Sequence, residues 1–236
     1  MNISIIIPAY NESAKIGNDV RAVAEFIKRN NLQAEIIVVD DGSTDNTADV
    51  AKSVEIPSDI SLRVIRYEPN RGKGFAVRTG IQSSKGDYVV FTDSGHCVPY
   101  DYILNGIKII ESGDADIAHG SRKLKTSKVI KHHPWTRQLI SRLFRWIFIV
   151  WLRVPSELTD TQCGFKIYNG DVARRLYAEC VTDGFLFDIE IILRAMKQDY
   201  RIKEFPIEWT ADLDSRLAPA KNMFNVLKEL ITLKLT

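Results

Sequence analysis

Apolar, β-branched runs that end in acidic, glycine-containing turns constrain the fold of this chain more than any other feature. The two clearest turns are Asp40-Asp41-Gly42-Ser43 and Asp93-Ser94-Gly95-His96, which follow apolar runs at 35–39 and 88–92. Runs of this length are typical of strands buried on both faces of a parallel sheet. Because ligands of open α/β sheets bind beyond the carboxyl ends of the strands, the three aspartates of these turns are candidate site residues.

Strand patterns alternate with helical patterns through the first half of the chain. We predict strands at 2–8, 35–40, 62–67, 87–92 and 114–120, and helices at 12–30, 45–54, 73–84 and 100–112. This alternation predicts an α/β fold in which helices flank a mostly parallel central sheet. In the second half we predict a turn and strand at 159–168, a helix at 186–197, a strand at 201–207 and an amphipathic helix at 219–234. The length of 236 residues is consistent with one domain over 1–236.

Composition and charge exclude several classes of protein. The net charge of +2 provides no overall field that would select nucleic acid. Three cysteines without metal-type spacing argue against a disulfide framework and fit a reducing compartment. The longest apolar run, 146–152, has seven residues, whereas a membrane-spanning helix needs about 20. We therefore expect a cytoplasmic protein that, if it meets a membrane, lies on the surface.

The segment at about 122–153 is basic and then aromatic. Residues 121–153 contain nine Lys or Arg and no Asp or Glu, and cations flank Trp, Phe and Ile side chains. Helices that lie in the headgroup plane of a membrane have this composition. The alternative is that this segment and the helix at 219–234 both pack on the sheet. We favour the membrane surface for 135–153 and packing for 219–234.

The turn Arg71-Gly72-Lys73-Gly74 at a predicted helix start has two interpretations. Its amides and the Lys73 ammonium can bind an anion at the positive end of the helix. Alternatively, the glycines are present because the backbone needs a positive φ. The third glycine of the dinucleotide-binding fingerprint is missing, and the chain has no P-loop.

Taken together, motifs over about 5–217 resemble those of family 2 glycosyltransferases with the GT-A fold. The general motifs are Pro8-Ala9-Tyr10-Asn11-Glu12, Val39-Asp40-Asp41-Gly42-Ser43-Thr44-Asp45, Asn70-Arg71-Gly72-Lys73-Gly74 and Gly120-Ser121-Arg122. Three more are similar to the polyprenyl-phosphate (dolichyl-phosphate) glycosyltransferases: Asp160-Thr161-Gln162-Cys163-Gly164-Phe165-Lys166, Phe187-Asp188-Ile189-Glu190 and Asp214-Ser215-Arg216-Leu217. Among these three motifs, the Thr-Gln-Cys-Gly-Phe-Lys sequence at 161–166 looks more like the β-glucosyl branch than the mannosyl branch.

The resemblance implies inverting transfer of a sugar, glucose in this branch, from a nucleotide-sugar such as UDP-glucose to a lipid phosphate. It implies nucleotide binding by Pro8, Tyr10, Glu12, Asp40, Asp41 and Lys73. It implies that Asp93 lies by the diphosphate and its metal, and that Asp188 faces the donor sugar or reaction centre. The residues implied to face phosphate groups are Arg122, Gln162, Ser215 and Arg216.

The chemistry of the reaction independently favours a cationic site. Negative charge develops on the leaving diphosphate and needs a metal or fixed cations, for which Lys73, Arg122 and Arg216 are candidates. A phosphate monoester with a second pKa of about 6 is largely dianionic at neutral pH and needs little help from a general base. Of Asp188 and Glu190, which point in different directions on a helix, we expect Asp188 to enter the site.

One departure from the family pattern bears on the metal. The family usually has Asp-x-Asp where this chain has Asp93-Ser94-Gly95, so the second acid is missing. A divalent cation, Mg²⁺ or Mn²⁺, would then rely on Asp93 with His96 as a substitute ligand, and metal dependence is in question. Two alternatives stay open: transfer to a soluble or protein hydroxyl, and a binding protein that has lost turnover through Gly95.

Overall fold

The computed structural model describes residues 2–131, 144–211, 229–231 and 233–234. The strands are β1 (Asn2–Ala9), β2 (Gln33–Asp40), β3 (Ser61–Arg66), β4 (Tyr88–Thr92), β5 (Ile117–Ser121), β6 (Lys128–Lys131), β7 (Phe165–Asn169), β8 (Ile202–Pro206) and β9 (Glu208–Thr210). The helices are α1 (Ile16–Arg29), α2 (Thr47–Lys52), α3 (Lys73–Gln82), α4 (Tyr102–Glu111), α5 (144–150), α6 (Gly170–Glu179) and α7 (Phe187–Lys197). None of the helices in these ranges is long and apolar enough to cross a bilayer.

Seven strands form the central sheet in the order β3-β2-β1-β4-β7-β5-β8. The pairs among β3, β2, β1 and β4 are parallel, as is the pair of β5 with β8. Strand β7 runs antiparallel to both of its neighbours, β4 and β5. As a result, the carboxyl ends of β1, β2, β4 and β5 and the amino end of β7 meet at one edge of the sheet.

The centre of the sheet is buried on both faces because β1, β2 and β4 contain continuous apolar runs. Along β1, Ile5 and Ile7 belong to a cluster with helices α1 and α4, whereas Ile6 belongs to a cluster with α3, α6 and α7. Successive side chains of a strand point to opposite faces, so a continuous run of isoleucines fills both layers. Truncating a fully buried isoleucine such as Ile6 to alanine would cost about 2–5 kcal/mol of stability.

The structure confirms the predicted α/β architecture and most of its elements. Each of the nine strands and helices predicted in the first half is present, although the helix expected at 12–30 begins at Ile16 and the strand expected at 114–120 begins at Ile117. In the second half, β7, α7 and β8 correspond to the elements predicted at 159–168, 186–197 and 201–207. The extent of the domain over the whole chain stays a prediction.

Three elements were not predicted, namely β6, β9 and α6. The Asn169-Gly170-Asp171 sequence resembles a turn, but Asn169 is an N-cap whose side chain accepts hydrogen bonds from the amides of Asp171 and Val172. The buried positions Val172, Ala173, Leu176 and Tyr177 have helical spacing and were the signal that could have revealed α6.

The two predicted amphipathic segments lie partly outside the described residues. Of the segment at 122–153, the structure describes 122–131 and 144–153, and residues 144–150 form α5. Of the helix expected at 219–234, it describes 229–231 and 233–234, which are helical. Ser215 and Arg216 also lie outside the described part of the chain.

Candidate active site

The loops after β1 and β2 are bound to each other at the shared edge of the sheet. The amide of Asn11 donates to Ser43 Oγ at 2.8 Å, and Asn11 Oδ1 accepts from the amide of Thr44 at 2.7 Å. The amide of Glu12 donates to Thr47 Oγ1 at 2.8 Å. These bonds bring the Pro8–Glu12 and Asp40–Asp45 motifs into one surface, as the sequence predicts.

Asp40 has one carboxylate oxygen without a hydrogen-bond partner. Its Oδ1 accepts from the amide of Ser43 at 2.9 Å, but the buried Oδ2 accepts no hydrogen bond and has Arg66 Nε 3.7 Å away. A buried acceptor without a partner costs free energy, so such an atom is expected to receive a donor from a ligand or water. Tyr10 is exposed beside this edge.

Asp41, which the resemblance also assigns to nucleotide binding, holds a neighbouring turn through several hydrogen bonds. Its carboxylate accepts from Tyr67 Oη, from Asn70 Nδ2, and from the amides of Arg71 and Gly72, at 2.8–2.9 Å. The Asp41 carboxylate therefore fixes the position of the turn that precedes α3. Its direct contact with a nucleotide stays a prediction.

The backbone amides at the start of α3 are already hydrogen-bonded within the protein. The amides of Gly74 and Phe75 donate to the carbonyl oxygens of Gly184 and Asp183, both at 3.1 Å, and the amide of Gly72 is bound to Asp41. Internal acceptors already occupy these three amides, which favours the second of the two interpretations of this turn. Gly72 has a φ of 112°, so the need for positive φ explains this glycine. Binding of an anion by the Lys73 side chain stays a prediction.

Lys73 and Asp93 form an ion pair at the end of β4. Lys73 Nζ lies 2.6 Å from Asp93 Oδ1, and the Asp93 amide donates to the carbonyl oxygen of Gly164 at 2.9 Å. A Cβ at Gly164 would overlap the Asp93 carboxylate, so the glycine leaves room for it. Burial lowers the pKa of Lys73, but the carboxylates of Asp93 and Asp188 outweigh burial and raise it above its ordinary value.

Asp188 is buried and bound to a lysine that the sequence analysis did not select. Lys166 Nζ donates to Asp188 Oδ1 and to the carbonyl oxygen of Cys163, both at 2.6 Å, and both charged side chains are almost fully buried. Burial raises the pKa of Asp188 above its ordinary value, although Lys166 and Lys73 oppose the shift. Sequence spacing does not reveal this pair, because it joins a strand and a helix that are distant along the chain.

Glu190 points away from Asp188, as we expected from their spacing. It accepts hydrogen bonds from the amides of Val181 and Thr182 at 2.9 and 2.7 Å, and from Arg194 Nε at 2.8 Å. Glu190 thus supports the loop between α6 and α7 and does not point to the Lys73–Asp93 pair.

Arg122 forms a two-pronged ion pair with Asp160, another residue that the sequence analysis did not select. Its Nε and Nη2 donate to Asp160 Oδ2 and Oδ1 at 2.6 and 2.7 Å, and its guanidinium lies 5.0 Å from the centre of the Trp209 ring. Burial raises the pKa of Asp160, but Arg122 outweighs burial and holds it below its ordinary value. Glu204 Oε1 accepts a hydrogen bond from the Asp160 amide at 2.6 Å, which fixes the backbone of Asp160.

The Asp93–His96 turn is held by a buried acid of α1. Gly95 has a φ of 89°, and its amide donates to Asp19 Oδ2 at 2.8 Å. His96 is exposed and stacks on Tyr100 at 4.7 Å between ring centres, and partial burial lowers the pKa of its imidazole. The left-handed backbone at position 95 favours a glycine there.

The donor set fits a divalent cation only in part. Asp93 supplies one hard carboxylate, but the described residues contain no group of three or more His, Cys, Asp or Glu side chains that could hold a metal ion. A cation at Asp93 would therefore need oxygen ligands from a bound diphosphate and water.

Cys163 and Gln162 differ in their access to solvent. Burial raises the pKa of the Cys163 thiol to about 12, so this cysteine is protonated and is not a nucleophile. Gln162 is exposed beside the Arg122–Asp160 pair, and its role at a phosphate group stays a prediction.

Comparisons with known proteins agree with this arrangement. The family model described as Glycosyl transferase family 2 matches residues 4–177. The dolichyl-phosphate beta-glucosyltransferase of Saccharomyces cerevisiae is 31% identical over 99% of this chain and 74% of its own length. The human protein of the same name is 29% identical over 99% of this chain and 75% of its own.

A solved structure with the same fold comes from a different enzyme. Glucosyl-3-phosphoglycerate synthase from Mycobacterium tuberculosis, in complex with Mn²⁺, UDP and glucosyl-3-phosphoglycerate, superposes with a TM-score of 0.73. The alignment covers 98% of this chain and 78% of that one, at 18% identity, and thus confirms the GT-A fold. With the family match over most of its length, the chain belongs to glycosyltransferase family 2 and is a glycosyltransferase.

Proposed function

We propose that this glycosyltransferase transfers glucose from UDP-glucose to a polyprenyl phosphate of the dolichyl type, with inversion at the anomeric carbon. The names of its relatives in yeast and human support this reaction. In the structure, the observation that supports it best is the pairing of three acids with cations. Asp93, Asp160 and Asp188 each lie 2.6 Å from a lysine or arginine nitrogen.

This pairing favours a phosphate acceptor over a hydroxyl acceptor. A hydroxyl needs a general base to remove its proton, and a base must have a carboxylate or imidazole free to take it. A phosphate monoester is largely dianionic at neutral pH and attacks without such help. Three acids that each contact a cation provide no unpaired carboxylate of this kind and suit a site that gathers phosphate groups.

In the donor site, Asp40 receives the nucleoside. Its buried Oδ2 has no hydrogen-bond partner in the described part of the chain and can accept from an N–H or hydroxyl group. Pro8, Tyr10 and Glu12 belong to the neighbouring loop, which the bonds to Ser43 and Thr47 hold beside Asp40. Asp41 contributes by fixing the turn that leads to Lys73.

Lys73 and Arg122 neutralise the charge that develops on the leaving diphosphate, together with Arg216. A divalent cation bound by Asp93 and the diphosphate would supply further electrophilic stabilisation. Asp93 contacts Lys73, and with a donor bound Asp93 would hold the cation while Lys73 would face a phosphate oxygen. The buried Asp188–Lys166 pair lies close enough to Lys73 for the Asp188 carboxylate to raise its pKa, and it contributes fixed charges to the site.

The exposed face of α5 meets the membrane that contains the acceptor. Phe148 of α5 and Leu152 just after it pack inward, whereas Trp146 of α5 and the adjoining Trp151 remain 61% and 40% exposed. Tryptophan is favoured at the interface between lipid and water because its ring is apolar and its N–H is polar. With the cations of 121–153, this face supports binding to an anionic surface, and the free cysteines support the cytoplasmic side.

The experiment that tests this proposal is incubation of the purified protein with UDP-glucose and polyprenyl phosphate in detergent or liposomes. We expect equal amounts of UDP and a glucosylated lipid phosphate, and little product when GDP-mannose replaces UDP-glucose. Tight UDP binding without turnover would favour a binding protein that has lost activity. Transfer of glucose to soluble hydroxyl acceptors in preference to the lipid would favour the other alternative.

A further inference from the structure

The beginning of α3, and with it Lys73, is bound by the loop between α6 and α7. The amides of Gly74 and Phe75 donate to the carbonyl oxygens of Gly184 and Asp183. A Cβ at Gly74 would lie 2.6 Å from the carbonyl oxygen of Thr182, so the two backbones touch. This loop therefore determines where α3 begins and where the Lys73 side chain starts.

A carboxylate from the C-terminal part of the chain holds the loop on its other side. Glu229 Oε1 accepts from the amide of Gly184 at 3.0 Å, and Oε2 accepts from the amide of Leu186 at 3.3 Å. A Cβ at Gly184 would overlap the Glu229 carboxylate, so the contact depends on glycine at this position. Gly184 thus links the two: its amide donates to Glu229, and its carbonyl oxygen accepts from the amide of Gly74 in α3.

The neighbours of Glu229 anchor it in the core. Leu230 and Leu233 are buried in a cluster that also contains Phe148 and Leu152 of the α5 region and Ile189 of α7. The carboxylate is consequently presented from a packed segment and not from a loose end. Because a carboxylate that receives two amides orients both, the loop has a defined position relative to this segment.

We propose that Glu229 is a positioning residue of the donor site: by binding the amides of Gly184 and Leu186, it holds the loop that sets Lys73 beside Asp93. The inference rests on the proposed function in that Lys73 is taken to bind the donor diphosphate. Glu229 touches neither donor nor acceptor and acts through the backbone of 183–186 and the start of α3.

A double-mutant cycle on UDP binding tests this role. Glu229→Gln keeps the size of the side chain but replaces one acceptor oxygen with an NH₂ group that faces a backbone amide. Titration calorimetry with UDP should show about tenfold weaker binding for Glu229→Gln in the wild-type background. In the Lys73→Met background, the same substitution should weaken binding by less than about twofold, because the residue it positions is gone.

Two further measurements separate positioning from loss of structure. Glu25→Gln removes the same charge from an exposed site on α1 and should leave UDP affinity unchanged. Hydrogen exchange should show faster exchange at residues 74 and 75 in Glu229→Gln, with the sheet strands as protected as in wild type. Faster exchange throughout the sheet would mean general unfolding and would overturn the proposal.

The failure of this inference and the failure of the proposed function are distinguishable. If the wild-type protein does not bind UDP, the donor assignment fails, and the exchange of residues 74 and 75 still decides the role of Glu229. If wild type binds UDP and Glu229→Gln binds it equally well with unchanged exchange, the positioning role is wrong. An equal loss of affinity in both backgrounds would also reject it, because Glu229 would then act independently of Lys73.

Discussion

Asp93 and Lys73 neutralise each other across 2.6 Å, so under the proposed function a donor diphosphate and its cation would have to replace these partners. The same principle holds for Arg122 with Asp160 and for Lys166 with Asp188. Removing one member of a buried pair leaves an uncompensated charge, which is more harmful than the loss of the contact itself. At the scale of single residues, the site therefore consists of three ion pairs. Lys73–Asp93 is the most exposed of them, so its partners are the easiest to replace.

Asp93→Asn should lower the rate of glucose transfer by about 100-fold or more, because the variant loses the charge that a cation and Lys73 require. Its melting temperature should change by only a few degrees, since the Asp93 side chain is partly exposed. Turnover is measured as UDP released from UDP-glucose. A folded variant with wild-type turnover would show that Asp93 lies outside the reaction centre.

Gly95→Asp should raise the affinity for Mn²⁺ in the presence of UDP about tenfold, because it restores a second carboxylate. It should also cost about 1–2 kcal/mol of stability, because position 95 has a φ of 89° and its amide is bound to the buried Asp19. Metal titration with paramagnetic detection and denaturant unfolding give the two quantities. If wild type binds Mn²⁺ tightly and the substitution does not change this, another residue supplies the missing acid. A preference of wild type for Mn²⁺ over Mg²⁺ would favour His96 as a metal ligand.

Asp19→Asn should change the dependence of stability on pH. Burial raises the pKa of Asp19 to about 6, while the Gly95 amide opposes and the Glu12 carboxylate reinforces the shift. Between the unfolded value of about 4 and this folded value the native state binds more protons, so stability falls as pH rises through that window. The side-chain amide of the variant can still accept from the Gly95 amide through its oxygen, and it carries no charge to bury.

The variant should therefore match wild type near pH 4 and exceed it by about 1–3 kcal/mol near pH 7.5. Denaturant unfolding at both pH values measures the difference, and Asp59→Asn at an exposed site is the control. A difference between variant and wild type that does not grow with pH would contradict the burial of a titrating carboxylate at position 19.

At the scale of elements, the strand ends account for the position of the site, and helix α5 has a face that the core does not cover. The carboxyl ends of β1, β2, β4 and β5 meet the start of the antiparallel β7, which brings Gly164 under Asp93. Helix α5 has two unlike faces: Phe148 is buried with α7, whereas Trp146 and Val150 are exposed. One face thus joins the core and the other remains for a partner.

Replacing Trp146 and Trp151 together with serine should weaken binding to anionic liposomes about tenfold, since both rings lose apolar area that lipid would cover. Binding of wild type should also weaken as salt rises, because surface charges are screened within about 8 Å at physiological ionic strength. Flotation assays measure both effects. Ile130→Ser, at another exposed apolar residue, is the control; equal loss in the control, or no binding at low salt, would reject the interfacial role of α5.

The sequence predicted elements and strand-end acids well, because hydrophobic periodicity and turn chemistry are local signals. It did not predict what those acids contact. Asp41 holds the turn at Asn70–Gly72, and Asp188 is bound to Lys166, through tertiary contacts between residues 22–31 positions apart. The two interpretations of the α3 turn could not be separated from the sequence, because the loop at 183–184 that binds its amides comes more than 100 residues later.

At the scale of the whole molecule, the candidate site and helix α5 lie on different parts of the structure. One edge of the sheet gathers the loops after β1 and β2 and the three acid–cation pairs. The buried face of α5 packs in the cluster of Phe148, Leu152, Leu230 and Leu233, which also anchors Glu229. The central claim is that a phosphate group attacks the donor and that no general base is needed.

A comparison of two acceptors tests this claim most directly. The purified protein is given UDP-glucose with either polyprenyl phosphate or the polyprenol of the same length, and glucolipid and UDP are quantified. We predict transfer to the phosphate and at least about 100-fold slower transfer to the alcohol, because the alcohol needs a base to take its proton and the phosphate does not. Equal transfer to the polyprenol, or efficient transfer to neither lipid, would contradict it.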